Sequence, residues 1–230
     1  MKEFDGFHKD VFTFFNELSK NNNKEWFDKN RDFYEKEIRD QSKLYVGKMN
    51  ELFSQTNLPY IADNKTSLFR INRDIRFSTN KEPYKTNIGV FFPLKVNVDN
   101  IKKLASGVYM HYQPNACMAA TGMHNPEPAL LKLLRKKISE NWYDFESLIE
   151  DKLFNEQFPK LWTDGNDLKV VRGYRESDPA FKFLKKKDIT YYCDIQQEVF
   201  YTEELVSVTL KKAIASRDFS IFLNDILLEL

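Results

Sequence analysis

The chain has 230 residues, a length that suits one large domain or two small ones. Hydrophobic residues make up 42% of the sequence and aromatic residues 15%, so the composition supports a sizeable core and excludes a disordered chain. The 35 basic and 34 acidic residues leave a formal net charge of +1, which argues against a general attraction to nucleic acid or to a membrane surface.

Cysteine usage and the N-terminal segment indicate where the protein works. Cys117 and Cys193 stand far apart and form no C-x-x-C pair, which favours a reducing compartment over a disulfide or zinc framework. The N-terminal segment lacks the apolar run and cleavage site of a signal peptide, and no stretch reaches the roughly 20 apolar residues of a membrane span. We therefore expect a cytoplasmic protein without membrane attachment, folded as a single globular domain over residues 1–230.

Helical patterns dominate the first quarter of the chain. Apolar residues at helical spacing predict a helix over residues 8–19, and the asparagine run at 21–23 ends it. Asn22 followed by Glu25 has the form of a capping box, and the apolar spacing behind it predicts one long helix over about 23–54.

Strand-like patterns follow Pro59. Phe69, Ile71, Ile75 and Phe77 share one parity and polar residues take the other, which predicts a strand over 69–78. Further strands are predicted at 88–94, 107–112 and 116–123, and Pro114-Asn115 predicts a hairpin turn between the last two.

The remaining chain alternates helices with short strands. The predicted helices cover about 128–138, 142–158, 202–215 and 218–229, and the predicted short strands cover 168–171 and 189–195. Helices at both ends around a group of strands predict an α+β fold, in which N-terminal and C-terminal helices flank a largely antiparallel central sheet.

Residues 69–87 concentrate positive charge. The segment holds five basic residues and two acidic ones, a local charge of +3: Arg70, Arg73, Arg76, Lys81 and Lys85 against Asp74 and Glu82. Arg73 shares the parity of the apolar residues, and an unpaired buried guanidinium is too costly to persist. We therefore expect Arg73 to meet a carboxylate, a group of carbonyls or an anionic ligand.

The favoured hypothesis is a binding module or enzyme for a small anionic ligand, either phosphorylated or carboxylated. The ligand-binding candidates are Arg70, Arg73, Arg76, Lys81, Lys85 and, from a second predicted strand end, Arg172. Asp74 is the candidate for orienting an arginine or acting as a base, and Tyr84 or Tyr109 for donating a proton.

Other interpretations stay open at this point. An internally paired network of arginines in a structural or protein-interaction domain is an equally open interpretation. For Gly173, directly after Arg172, the favoured interpretation is that it only permits a turn. A single-stranded nucleic-acid binder is a third hypothesis, which the sequence supports least because it contains no recognisable reader motif.

Cofactor and metal motifs are missing from the sequence. It has no G-x-G-x-x-G, Walker, G-x-S-x-G or H-E-x-x-H pattern, so we expect no cofactor. In the predicted hairpin, His111 and His124 would lie about 20 Å apart at the usual rise of a strand, too far to share a metal ion. No metal site is predicted.

One motif resembles a known family. The run Arg70-Ile71-Asn72-Arg73-Asp74-Ile75-Arg76-Phe77-Ser78, followed by Lys81 and Pro83-Tyr84-Lys85-Thr86, resembles the signature of domain of unknown function 2461. The similarity extends over most of the chain, through Phe7, Trp26-Phe27, Gly107, Tyr109, Pro114, Gly122, Arg172-Gly173-Tyr174 and Asp178-Pro179. The chain departs from the family pattern at Asn80, Val171 and Asp178, where an acidic residue, a proline and a histidine are expected. The resemblance implies a family but no activity.

Overall fold

The structure is a computed structural model that describes residues 3–76, 78–96, 106–163, 165 and 167–229. Within these ranges the α-helices are Val11–Lys20, Lys24–Lys29, Arg31–Phe33, Gln41–Gln55, Asn64–Ser67, Pro128–Glu140, Trp142–Glu150, Lys152–Gln157, Phe181–Leu184 and Glu204–Asn224. A π-helix spans Tyr34–Asp40, and 3-10 helices span Gln197–Tyr201 and Asp225–Glu229. No helix in the described ranges is long and apolar enough to cross a membrane.

Strands in the described ranges form one antiparallel sheet. They are β1 Ile88–Pro93, β2 Gly107–Tyr112, β3 Met118–Met123, β4 Lys160–Leu161 and β5 Ile189–Asp194. Their order in the sheet is β1-β2-β3-β5-β4. The predicted α+β fold with an antiparallel sheet is confirmed.

The chain divides into two compact units. The first comprises Met1–Phe92, Tyr109–Ala119 and Asp194–Leu210, and the second comprises Pro93–Val108, Ala120–Cys193 and Lys211–Leu230. Each unit has aromatic packing of its own. Tyr112 stacks on Phe200 in the first, with ring centroids 4.4 Å apart, and Phe154 packs on Phe219 in the second, at 4.8 Å. The single domain over residues 1–230 stays a prediction.

The N-terminal helical region confirms one prediction and corrects another. The helix Val11–Lys20 buries all the apolar residues that predicted it. The long helix predicted over 23–54 is wrong in its continuity, because the first helical segment ends at Lys29 and the π-helix Tyr34–Asp40 separates the other two. Its N-cap is Asn23 rather than Asn22, since Asn23 Oδ1 accepts a hydrogen bond from the Trp26 backbone N–H at 3.0 Å.

Strand predictions were right where local turn chemistry was clear. The hairpin of β2 and β3 turns at Asn115, whose φ of 62° lies in the left-handed region that asparagine tolerates. The strand predicted at 189–195 is confirmed as β5. The strand predicted at 168–171 is wrong, because neither face of the run is buried throughout: Leu168 is half-buried and Val170 is 78% exposed, while Lys169 is exposed beside buried Val171. Instead, Lys160 of β4 pairs with Tyr192 of β5.

Two further predictions were wrong. The two C-terminal helices predicted over 202–215 and 218–229 are one helix, Glu204–Asn224, because no glycine or proline interrupts it. The strand predicted over 69–78 is absent from its described part, which makes only the isolated bridge Asn72 to Tyr84; Leu68, just before it, bridges Val90. The facing segment contains Pro83, which has no N–H to donate to a regular ladder. Phe77 lies outside the described residues.

Candidate functional site

A cavity of about 350 Å³ lies in the first unit, at the positively charged segment 69–87. It is lined by Arg73, Asp74, Glu82, Tyr84, Lys85, Thr86 and Asn87. Two backbone hydrogen bonds hold its walls together: Arg73 N donates to Pro83 O, and Lys85 N donates to Ile71 O, each at 2.8 Å. Burial alternates along this segment as predicted, although no regular strand forms. Residues 71, 73 and 75 are partly buried, and residues 70, 72, 74 and 76 are exposed.

Tyr84 anchors one wall of the cavity to the helical region. Its ring is buried and stacks on Phe27, with centroids 4.1 Å apart and planes 15° apart. The Asn22 side chain bonds both backbone groups of Tyr84, donating to its carbonyl oxygen at 2.9 Å and accepting from its N–H at 3.0 Å. These contacts give Tyr84 a packing role, and its proposed role as a proton donor stays a prediction.

Lys85 is the cation in the cavity that lacks an acidic partner. Among the residues described, no carboxylate forms an ion pair with it; its ammonium instead lies 5.1 Å from the centroid of the Phe69 ring. Burial, and then the positive charges of Arg70 and Arg73, lower the pKa of Lys85. A partly buried ammonium beside two guanidinium groups is a place where an anion lowers the electrostatic energy.

Arg73 makes one modest contact with an acidic group. Its Nη1 lies 3.3 Å from Glu82 Oε2, and the guanidinium side chain is 28% exposed. The same carboxylate oxygen accepts from Asn80 Nδ2 at 3.0 Å, while the Glu82 N–H donates to Asn80 Oδ1 at 2.9 Å. The expected carboxylate partner of Arg73 therefore exists, but it uses only part of the guanidinium fork.

Arg76 is engaged much more fully. Its Nε and Nη2 donate to the two carboxylate oxygens of Asp74 at 3.0 and 2.7 Å, and the Arg76 side chain is 75% exposed. The side-chain and backbone hydrogen bonds from Arg76 lower the pKa of Asp74 to about 2. Such a carboxylate is a weak base at neutral pH and suits the other predicted role, orientation of an arginine.

Arg70 and Lys81, two other predicted ligand-binding residues, do not line this cavity. Arg70 is exposed and forms no ion pair within the described chain, but its charge acts on both Lys85 and Asp74. Lys81 Nζ donates to the backbone carbonyl of Ile75 at 3.0 Å, which closes the loop that carries Glu82.

Tyr109 stands in a hydrogen-bonded network next to Asn87. Its phenol lies 2.9 Å from His111 Nδ1, and His111 Nε2 lies 3.0 Å from Gln113 Oε1. A neutral imidazole that donates from Nε2 to the amide oxygen accepts from the phenol at Nδ1. Burial lowers the pKa of His111 and raises that of Tyr109 to about 12, so both groups are neutral near pH 7. Tyr109 does not line the cavity, although Asn87 Nδ2 lies 3.4 Å from the same His111 nitrogen.

Arg172 belongs to the second unit, where it is exposed. The next residue, Gly173, has a φ of +92°, and Tyr174 N donates to Val171 O at 3.1 Å, so the chain turns there as the alternative interpretation expects. Gly173, Tyr174 and Asp178 help to line a cavity of about 590 Å³ within that unit, together with Lys136, Ser139, Glu140, Trp142, Tyr143, Arg175, Ser177 and Pro179. The Asp178 carboxylate accepts from Ser139 Oγ at 3.0 Å.

Sequence reasoning did not name, as ligand-binding or catalytic candidates, three residues that build this candidate site. Glu82 and Asn87 line the cavity, and Asn22 fixes its wall from 62 positions away along the chain. Glu82 and Asn87 lie in the charged segment 69–87, so their position there could have marked them as candidates. Nothing in the local sequence singles out Asn22. In the described part of the chain, no group of three or more His, Cys, Asp or Glu side chains is placed to hold a metal ion.

Comparison with known proteins gives one match. A family model described as "Conserved hypothetical protein", domain of unknown function 2461, matches residues 10–222. The comparison finds no match among curated proteins and none among solved structures.

Proposed function

Since the chain belongs to the family catalogued as domain of unknown function 2461, whose description names no activity, we propose its function from the site. The cavity of the first unit binds a small anionic ligand, phosphorylated or carboxylated, with Lys85 and Arg73 as the groups that contact the anion. Its volume of about 350 Å³ is at the lower end of the range for small-molecule sites, about 300–1,000 Å³.

Lys85 is the observation that carries this proposal. An internally paired network gives each of its buried cations a partner, yet partly buried Lys85 has no carboxylate among the described residues and is crowded by Arg70 and Arg73. An anion in the cavity replaces the water that such an ammonium loses on burial, and it screens the repulsion between the three cations. Thr86 and Asn87 add hydrogen-bond donors at the same wall.

A thermal-shift panel of inorganic phosphate, sugar phosphates, nucleotides and small carboxylates tests the proposal. A ligand at about 100 times its Kd stabilises the folded state by about 2.7 kcal/mol, which for this chain length raises Tm by about 5 °C or more. We expect Lys85→Met to abolish the shift. Lys48→Met is the matched control, because Lys48 is also partly buried and in the first unit but does not line the cavity.

The competing function is a structural or protein-interaction domain, and the two-point contact of Arg76 with Asp74 favours it for that arginine. If no ligand in the panel raises Tm and Arg73→Ala unfolds the protein, the structural function replaces the proposed one. An equal ligand response in the wild type and in Lys85→Met also contradicts binding at this cavity.

The cytoplasm is the compartment that we propose for this protein. Cys117 and Cys193 are both free and buried, as expected for a chain folded in a reducing environment. Fractionation of cells that express the native protein tests this location, and recovery from an oxidising compartment contradicts it.

A further inference from the structure

We infer that the ligand group recognised in this cavity is a dianion such as a phosphate monoester, and that the Glu82 carboxylate occupies part of its place in the free protein. The inference rests on the proposed function. Beyond that function, the inference specifies the charge of the ligand and names a carboxylate of the protein itself that competes with it.

The balance of charges around the cavity indicates a dianion. The cations that act there are Arg70, Arg73 and Lys85. Asp74 is engaged by Arg76, so Glu82 is the one lining carboxylate that remains available to these cations. Three cations and one carboxylate leave two positive charges uncompensated. A phosphate monoester, with a charge of about −1.5 to −2 at neutral pH, neutralises both, whereas a single carboxylate leaves one.

The Glu82 carboxylate has the geometry of a group that a bound anion can displace from Arg73. Its Oε2 is shared between Arg73 Nη1 at 3.3 Å and Asn80 Nδ2 at 3.0 Å, so the contact with Arg73 is single and long. A guanidinium prefers two parallel hydrogen bonds to two oxygens, which a phosphate offers. Residues 79–82 are exposed, so the displaced carboxylate can remain hydrated after an anion binds to Arg73.

The removal of the Glu82 charge is therefore expected to tighten binding. One unit charge about 4 Å away in water-like surroundings contributes about 1 kcal/mol, which corresponds to about fivefold in Kd. Glu82→Gln keeps the acceptor oxygen and the side-chain length while it removes the charge.

The experiment is an NMR titration of the full chain near pH 8 with inorganic phosphate, sulfate and acetate. We expect the two dianions to bind at least about tenfold more tightly than acetate, and Glu82→Gln to lower the Kd for phosphate about fivefold. Glu51→Gln, on the helix Gln41–Gln55, is the matched control and should leave the Kd unchanged. A sugar phosphate in a parallel titration distinguishes a phosphorylated metabolite from free phosphate, because only the metabolite gains contacts beyond the anion.

The possible outcomes separate this inference from the proposed function. The dianion inference is overturned if acetate binds as tightly as phosphate, or if Glu82→Gln leaves phosphate binding unchanged or weaker. Either result still leaves anion binding at the cavity intact. If none of the anions binds the wild type or Glu82→Gln, the proposed function itself fails.

Discussion

Asn22 holds the backbone of Tyr84 with both ends of its side-chain amide, at 2.9 and 3.0 Å, across 62 positions of the sequence. Tyr84 directly precedes Lys85, so this contact ties the cationic wall of the cavity to the turn between two helices. A side-chain amide that satisfies both an N–H and a carbonyl takes the place of a strand neighbour on the side of Tyr84 that does not face Asn72.

Asn22→Ala is expected to destabilise the folded protein. It removes two hydrogen bonds and leaves two partly buried backbone groups without that partner, at a cost of about 2 kcal/mol. Urea denaturation measures the loss. Asn50→Ala is the control, because Asn50 is exposed on a helix and such a change should stay within about 0.5 kcal/mol. Equal stabilities of the two variants would contradict a role for the Asn22 contact.

Lys85→Met is expected to stabilise the ligand-free protein while it abolishes the anion response. The pKa of Lys85 is lowered from 10.5 on folding, so the folded state carries a penalty while the lysine is protonated. That penalty is fully present below the folded pKa and disappears as pH rises through it toward 10.5. At pH 7 methionine removes the charge and keeps the contact with Phe69, a gain of up to about 1 kcal/mol.

Thermal unfolding at pH 7 without added anion provides the measurement for Lys85→Met. Lys48→Met, again the control, should show no gain, because it removes the ion pair between Lys48 Nζ and Glu51 Oε2, which are 3.4 Å apart. A fall in Tm for Lys85→Met would mean that the ammonium is stabilised within the free protein, which contradicts the proposed anion site.

The pKa of Asp74 should depend on Arg76. NMR of the carboxyl carbon is expected to give a value of about 2 in the wild type and one closer to 3.8 in Arg76→Gln, because the charge-assisted hydrogen bonds are lost. A depressed pKa contributes stability above about pH 4 and loses it as pH falls through about 2, so the stability gap between the two proteins should close over that interval. An unchanged Asp74 titration in Arg76→Gln contradicts the pairing.

Gly122→Ala is expected to be among the more damaging single substitutions. A Cβ at this position would lie 2.0 Å from the carbonyl oxygen of Ile189, and the backbone φ of +122° is one that other residues rarely adopt. Steric overlap and backbone strain together cost about 3 kcal/mol or more.

Gly47→Ala serves as the matched control for Gly122→Ala. Gly47 is in a helix, and a Cβ there would have no atom within 4 Å, so alanine should stabilise the protein by up to about 1 kcal/mol. A lower denaturant midpoint for Gly122→Ala and a higher one for Gly47→Ala, each relative to the wild type, would confirm both assignments. Equal destabilisation by the two substitutions contradicts the steric argument.

Local sequence signals predicted much of the fold. The helix Val11–Lys20 and the hairpin at Asn115 formed where predicted, because apolar spacing and turn residues act over a few positions. Predictions over 69–78 and 168–171 were wrong where alternation or a short apolar run was read without knowledge of the partner segment. A strand needs a neighbour with free N–H and carbonyl groups, and Pro83 removes one of them.

The sequence by itself determined that residues 69–87 carry excess positive charge, and that Asp74 can pair with Arg76 two positions away. Only the tertiary structure decided which cation of the cavity wall has no carboxylate partner among the described residues. Lys85 lies against Phe69, and Arg73 meets Glu82 across the loop. The energy of an ion pair falls as the distance between its two charges grows. For residues that are far apart in the sequence, only the folded backbone sets that distance.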